Sequence, residues 1–470
     1  MLEIDTDTVL ASQGNACGPT PLDQYPSVLL EVRASASGLT VFVNSDLRPS
    51  IAGRLLVEEF GRQWDLPAGG VDSCSTIEWT DTEVTVRTSR QNPTVLYLWC
   101  TSKTNRVLMG TDLAELTARI ITTSGPEPDL LAQIRSVRTS IRKVSGGRTV
   151  VFARDADRGI SVTELTTHTW QPSIVTNETA LEAGARQIET LGREIAATDG
   201  ARPITAVISG GVDSGLVAAL AKQAGILDHL ATLGTPWGNE YAEAAELGAH
   251  LNLPVIRITL SEDEILRALP ETIRMIGEPN HETIAGAVNL VAVYQQGRLP
   301  LGTVLTGYGA DLINSGLRVE SYAIDDIRLA VSQRLSDAAL ASEFSGVAAA
   351  SHGYALRHMF WSSEVIQAAL DTAPELMRFR DREKGHIRAA ATELLPDTIA
   401  WRPKQALHHG SGVDRNLNSA IARRLGVEFV DVERFYRLID AELVRALVTS
   451  PYEQIDSCKC MEAAIAAYRR

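Results

Sequence analysis

Ser209-Gly-Gly-Val-Asp-Ser214 follows the apolar run Ile204-Thr-Ala-Val-Ile208, which reads as a buried strand. A helical pattern then runs from about Gly215 to Ala224. Having no side chains, Gly210 and Gly211 let backbone N–H groups approach a phosphate, and the helix behind them adds its positive end. Ser209 and Ser214 offer hydroxyls. Asp213 would repel a phosphate unless a divalent cation lay between them, which makes it a candidate magnesium ligand. No Gly-Lys-Ser/Thr follows, so the loop differs from a Walker loop. The competing reading is a plain strand-to-helix turn capped by a serine. It is outweighed because every position agrees with phosphate binding.

Apolar strands and amphipathic helices alternate on either side of this loop. Leu181, Ala185, Ile188, Leu191 and Ile195 recur at helical spacing, with Gly200 expected to close that helix. Downstream come strand His229–Leu233, helix Asn239–Leu251, strand Val255–Leu260 and strand Thr303–Thr306, which ends at Gly307. Ser261 and Glu264 are spaced as a capping box. Such alternation predicts an α/β fold whose parallel sheet is covered on both faces. Beyond Ile324 the pattern is mostly helical. The region before about Ser173 differs, being rich in Thr, Val, Ser and turn residues. There Val84–Ser89, Val95–Cys100, Arg106–Gly110 and Arg148–Ala153 read as strands, and Ser102-Lys-Thr-Asn105 as a hairpin turn. Two domains are expected, 1–175 and 176–470.

The chain has 470 residues, ample for large buried cores without disulfide or metal staples. Its net charge of −14 argues against nucleic acid or an anionic membrane as the main partner. The five cysteines, Cys17, Cys74, Cys100, Cys458 and Cys460, are sparse and scattered, as in a reducing cytoplasm. No apolar run has the roughly 18 residues that a membrane helix needs, and the acidic beginning is unlike a signal peptide. A cytoplasmic globular protein acting on a small molecule is expected.

Thr306-Gly-Tyr-Gly-Ala-Asp311 closes a later strand of the same sheet. Ligands in such sheets bind at the carboxyl ends of strands, which lets Asp311 share the cation of Asp213. The alternative is a glycine-flanked turn with a solvated aspartate.

The loop at 209–214 resembles the SGGxDS loop of the ATP pyrophosphatase family, whose members split ATP into AMP and pyrophosphate. Asparagine synthetases carry an acidic residue where this chain has Tyr308, and that departure points to a narrower group. Tyr308, Glu343 within Ser342-Glu-Phe-Ser345, Lys404 within Arg402-Pro-Lys-Gln405, and His408-His-Gly-Ser-Gly412 together resemble β-lactam and carbapenam synthetases. The first three are separated by 35 and 61 residues. The resemblance implies ATP and Mg2+ as cofactors and a β-amino acid as substrate, with no nucleic-acid or membrane partner and a homodimer as one expected assembly. It implies that Tyr308 and Glu343 form a proton-transfer pair, that Lys404 stabilises the oxyanion and that Lys384 holds pyrophosphate. Asp213 and Asp311 would hold the metal. Val207, Ser209, Gly210, Gly211, Ser214, Leu233 and Gly307 would line the nucleotide site. The loop 401–412 would close as a lid.

The first domain resembles, weakly, the αββα amidotransferase fold of asparagine synthetases. Active glutaminases carry an N-terminal cysteine nucleophile; here Leu2 follows Met1, so a remnant without ammonia production is expected. The acidic group that recognises a guanidinium in β-lactam synthetase falls near Gln333-Arg334, neither of which is acidic. Asp325, Asp326 or Asp337 could restore that role. Three further readings stay open: an intermolecular amide ligase, a lasso-peptide macrolactam cyclase, and a non-catalytic partner protein.

Overall fold

The computed structural model describes residues 27–35, 38–43, 53–57, 75–100, 105–155, 159–316, 324–403, 407–450 and 455–470. The first part builds two antiparallel five-stranded sheets. One has the order β2-β1-β7-β6-β8, from Leu29–Ser35 (β1), Gly38–Val43 (β2), Leu96–Cys100 (β6), Arg106–Gly110 (β7) and Ile141–Val144 (β8). The other is β10-β9-β5-β4-β3, from Gly53–Val57 (β3), Ser75–Trp79 (β4), Glu83–Arg87 (β5), Arg148–Asp155 (β9) and Gly159–Thr166 (β10). Alternate residues of each sheet, among them Val32, Leu98, Val107, Ile77, Val84 and Phe152, meet in one apolar layer, which stacks the sheets face to face. Helix Leu113–Ser124 covers the opposite face of the first sheet through Leu113, Leu116 and Ile120. The four strands expected here are present; the turn expected at 102–105 lies mostly outside the described residues.

The second part is centred on a parallel sheet of Ile204–Val207 (β11), His229–Thr235 (β12), Val255–Thr259 (β14), Thr303–Thr306 (β15) and Ala355–His358 (β16). Its order is β14-β12-β11-β15-β16, with Gly238–Asn239 (β13) turning back antiparallel on β12. Val207, Leu233, Ile258 and Val304 point into one core. Ile204, Ala206, Leu230 and Leu305 point into the other. Helices therefore cover both faces, as the alternation predicts. From β11 the chain builds outward through β12 and β14, then returns to the far side of β11 as β15. The crevice between β11 and β15 is thus a topological switch point, where open α/β sheets bind ligands.

Several boundaries differ from expectation. The helix after β11 begins at Val212 instead of Gly215, because extended Gly211 (φ −90°, ψ 167°) takes the N-cap position. The helix Ala180–Ala196 ends at Ala197, short of Gly200. The helix expected from Asn239 starts at Tyr241, because Asn239 belongs to β13. The capping box of Ser261 and Glu264 is formed. No helix of the described residues is long and apolar enough to cross a membrane.

Candidate active site

The switch point gathers residues from several separate segments. At the end of β11, Gly210 adopts φ 68°, a conformation that side chains disfavour. Its turn brings the Ser209 N–H to the Ser214 hydroxyl at 3.1 Å, with the two hydroxyls 3.3 Å apart. Because the helix starts early, Asp213 and Ser214 lie in its first turn, and both are buried. At the end of β15, a Cβ on Gly307 would stand 2.7 Å from the Ser214 nitrogen and 2.8 Å from the Asp213 carbonyl carbon. Only glycine lets the second loop approach the first so closely.

Asp311, in the short helix Ala310–Ile313, completes this approach. Lys384 Nζ donates to Asp213 Oδ2 at 2.5 Å and to Asp311 Oδ1 at 2.8 Å. The lysine is 0% exposed and takes a left-handed conformation (φ 54°, ψ 31°) at the start of helix Gly385–Ala391. Two carboxylates converging on one point need a positive charge between them, and here an ammonium supplies it. The same donor set fits magnesium. Two hard carboxylates are offered, and among the described residues no group of three or more His, Cys, Asp or Glu side chains is placed to hold a metal. A magnesium ion held by Asp213 and Asp311 would draw its other ligands from phosphate and water, as it commonly does.

The Tyr308 hydroxyl donates to Glu343 Oε2 at 2.9 Å. Tyr308 keeps 38% of its surface exposed, so a ligand can reach it. Burial around the hydroxyl and the adjacent Glu343 carboxylate hold the phenol well above its ordinary pKa. Burial likewise raises Glu343, with the charges of Glu282 and Asp337 adding to the effect. The tyrosine ring packs against Phe344 and His358, whose centroids lie 5.0 and 5.3 Å away. Phe344 in turn stacks on Trp361 at 3.8 Å. The Thr306 hydroxyl accepts the Tyr308 N–H at 3.3 Å and lies 2.7 Å from His358 Nδ1. Burial lowers the His358 pKa to about 3, so the imidazole is neutral and can accept the Thr306 proton.

Val207 and Leu233 are 8% and 2% exposed, and their side chains pack in a core. Any contact they make with a nucleotide is therefore mainly through backbone. Lys404 lies outside the described residues, as do the side chains of Asp325 and His408. The segments flanking Lys404 are firmly placed. Arg402 Nη1 donates to the Gly210 carbonyl at 2.5 Å, while Nη2 pairs with Glu246 at 2.5 Å. On the far side, the Ser411 carbonyl accepts from Thr235 at 2.5 Å, and its hydroxyl accepts from Asn289 at 2.9 Å. Gln333 and Arg334 lie on helix Ile324–Ala338, where Gln333 donates to Asp337 at 2.9 Å.

Arg402 and Glu282 are neighbours of these groups that the sequence did not single out, whereas Asp337, expected as a candidate for the substrate tail, instead acts on Glu343. Arg402 carried a signal, since it stands two residues before Lys404 in the quoted Arg-Pro-Lys-Gln. Glu282 carried none, being one acid among many on a helix.

A family model described as asparagine synthase matches residues 190–346 and 321–465. Over 290 residues the chain is 32% identical to a carboxyethyl-arginine beta-lactam-synthase of Streptomyces clavuligerus, covering 60% of this chain and 55% of that protein. It is 24% identical over 278 residues to a putative glutamine-hydrolyzing asparagine synthetase of Methanocaldococcus jannaschii, covering 51% of each. With a glutamine-hydrolyzing asparagine synthetase of Gallus gallus it shares 26% identity over 227 residues, covering 44% of this chain and 40% of that protein. The chain thus spans about half the length of the curated relatives it matches.

Proposed function

Because the chain belongs to the asparagine synthase family, we propose that it is an ATP-dependent amide-forming ligase. In finer detail, the reading is an AMP-forming cyclo-ligase that activates the carboxylate of a β-amino acid and closes it to a β-lactam. The observation that carries this is the Tyr308–Glu343 hydrogen bond of 2.9 Å, on the strand end next to the Lys384 cluster.

A free carboxylate resists amines because oxide is a poor leaving group, and spending ATP replaces it with AMP. Gly210, Gly211, Ser209 and Ser214 would hold phosphate oxygens, and Lys384 the departing pyrophosphate. A magnesium ion on Asp213 and Asp311 would neutralise phosphate charge. For ring closure the amine must lose a proton. Tyr308 already directs its O–H at Glu343, so its oxygen lone pairs remain available to the amine. As the phenol oxygen takes the amine proton, its own proton passes to Glu343. A carboxylate whose pKa is raised is a stronger base for that step. Lys404 would stabilise the oxyanion.

We extend the proposal to residues 1–175, as an amidotransferase-like domain. The stacked antiparallel sheets are in keeping with that reading. A cytoplasmic setting and a role in antibiotic-type biosynthesis belong to the same proposal. Similarity to two asparagine synthetases favours one competitor, an intermolecular ligase.

A pyrophosphate-release assay with ATP, Mg2+ and single β-amino acids separates them. Release with one acid and no added amine, accompanied by a product lighter by one water, supports ring closure. An absolute requirement for a second amine indicates ligation. ADP and inorganic phosphate as products would overturn both.

A further inference from the structure

Arg388 is among the largest fully buried side chains of the described residues, at 1% exposure. Its guanidinium makes four hydrogen bonds into two separate pieces of chain, before and after its own helix. Nε donates to the Glu383 carbonyl at 2.9 Å, and Nη2 to Glu383 Oε1 at 2.8 Å. Nη1 donates to the carbonyls of Ala400 at 2.9 Å and Arg402 at 2.7 Å. Glu383 immediately precedes Lys384, and Arg402 stands two residues before Lys404. Arg402 also reaches the Gly210 carbonyl of the phosphate loop at 2.5 Å.

We propose that Arg388 is a positioning residue, whose planar guanidinium fixes the backbone carrying Lys384 and the segment leading into Lys404 in one register against the phosphate loop. This rests on the functional reading above. The chemistry favours arginine: only its rigid fork offers enough N–H donors, suitably splayed, for three carbonyls and a carboxylate. A lysine at this position has three donors on one atom and cannot span them. Lys384 also needs such support. It sits in the left-handed region, which a residue with a Cβ keeps only when its surroundings impose it. The Arg388 amide donates to the Lys384 carbonyl at 3.0 Å, so helix and side chain hold the same residue from two sides.

The test compares Arg388→Met and Arg388→Lys with Ile439→Ala, a truncation in the other core. Amide hydrogen exchange is read together with pyrophosphate release. The expected result for the Arg388 variants is faster exchange both at Phe379 and Arg382, which pair antiparallel just before Glu383, and at Trp401–Arg402, with Ala206 and Leu305 unchanged. Their kcat should fall by about 10²-fold, the usual cost of misplacing catalytic groups by an ångström. Ile439→Ala should lower the melting temperature and leave kcat within about twofold. If Arg388→Met does not fold, Arg388→Lys carries the comparison. Unchanged exchange at either segment overturns the proposal, as does an equal kcat loss in Ile439→Ala. Wild-type protein that releases no pyrophosphate overturns the functional reading instead, while the exchange pattern still decides whether Arg388 joins the two segments.

Discussion

Lys384 Nζ lies 2.5 Å from Asp213 Oδ2, joining residues 171 positions apart at the carboxyl edge of the sheet. With Asp311 also at 2.8 Å, one buried ammonium offsets two carboxylates. Lys384→Met leaves those carboxylates facing each other and should destabilise the fold by about 3–5 kcal/mol, the usual cost of removing one partner of a buried pair. Thermal melts with and without Mg2+ check this. Magnesium should raise the melting temperature of Lys384→Met more than that of the wild type, because a cation can stand in for the ammonium. Adding Asp213→Asn to that variant should recover stability. A melting temperature indifferent to magnesium in Lys384→Met would argue against Asp213 and Asp311 as metal ligands.

Tyr308→Phe removes the hydroxyl and keeps the ring packing against Phe344 and His358. Product formation should fall by about 10²–10⁴-fold, the range for losing a general acid–base group. ATP binding, followed by calorimetry with a non-hydrolysable analogue, should change little. Equal losses in both would refute proton transfer at Tyr308.

Glu343 gives a pH signature. Burial raises its pKa above the ordinary 4.5, so the acid limb of kcat/KM should lie above that value and vanish in Glu343→Gln. The stability sign follows from the same shift. Below the ordinary value both folded and unfolded states are protonated, and the raised pKa favours the native state. As pH rises through the folded value that advantage is lost. Urea unfolding of wild type and Glu343→Gln should therefore diverge with rising pH, the wild type losing more.

The strand-to-helix loop at 209–214 was legible because its signal is local: two glycines, a strand before and a helix after. The pairing of Tyr308 with Glu343 was legible only through family resemblance, since nothing in a 35-residue separation implies contact. Ala355-Leu-Arg-His358 went unread as a strand. Four residues without alternation carry no periodic signal, and their pairing with β15 is a long-range fact. Lys384 and Arg388 look like a solvated helix face in the sequence, because charged residues are seldom buried. Their burial becomes visible only when Asp213, Asp311 and three carbonyls arrive from elsewhere. Val-Asp-Ser reads as loop in the sequence, yet the helix begins at Val212, because extended Gly211 caps it.

Gly307→Ala tests the close approach of the two loops. A methyl group at 2.7 Å from the Ser214 nitrogen meets backbone and cannot be relieved by a rotamer change. The helix Val212–Gln223 or the end of β15 must move, at about 1–3 kcal/mol, the typical cost of overpacking. Loss of ATP affinity should exceed what that destabilisation explains, because the displaced atoms belong to the loop proposed to hold phosphate. Gly225→Ala is a useful control, since a Cβ there meets nothing within 4 Å and the cost comes from its φ of 70° alone. Affinity lost equally in both variants would detach Gly307 from the nucleotide site.

His386 predicts acid sensitivity near the same cluster. The ring is fully buried, with Nε2 3.2 Å from the side-chain oxygens of both Gln187 and Asn314. Nδ1 is buried with no hydrogen-bond partner among the described residues. A second proton would have to sit on Nδ1 without an acceptor. Burial, with the nearby charges of Arg186 and Lys384, lowers the pKa from 6.5 to about 3. Between those values the unfolded chain binds a proton that the native state refuses, so stability is present above pH 6.5 and is lost as pH falls toward 3. At pH 5 the loss from this group is about 2 kcal/mol, given 1.36 kcal/mol per pKa unit. Urea unfolding at pH 7 and pH 5 measures it against His386→Gln, which cannot take up the proton and should lose that much less on acidification. An identical pH dependence in the two proteins would show that His386 is not the group responsible.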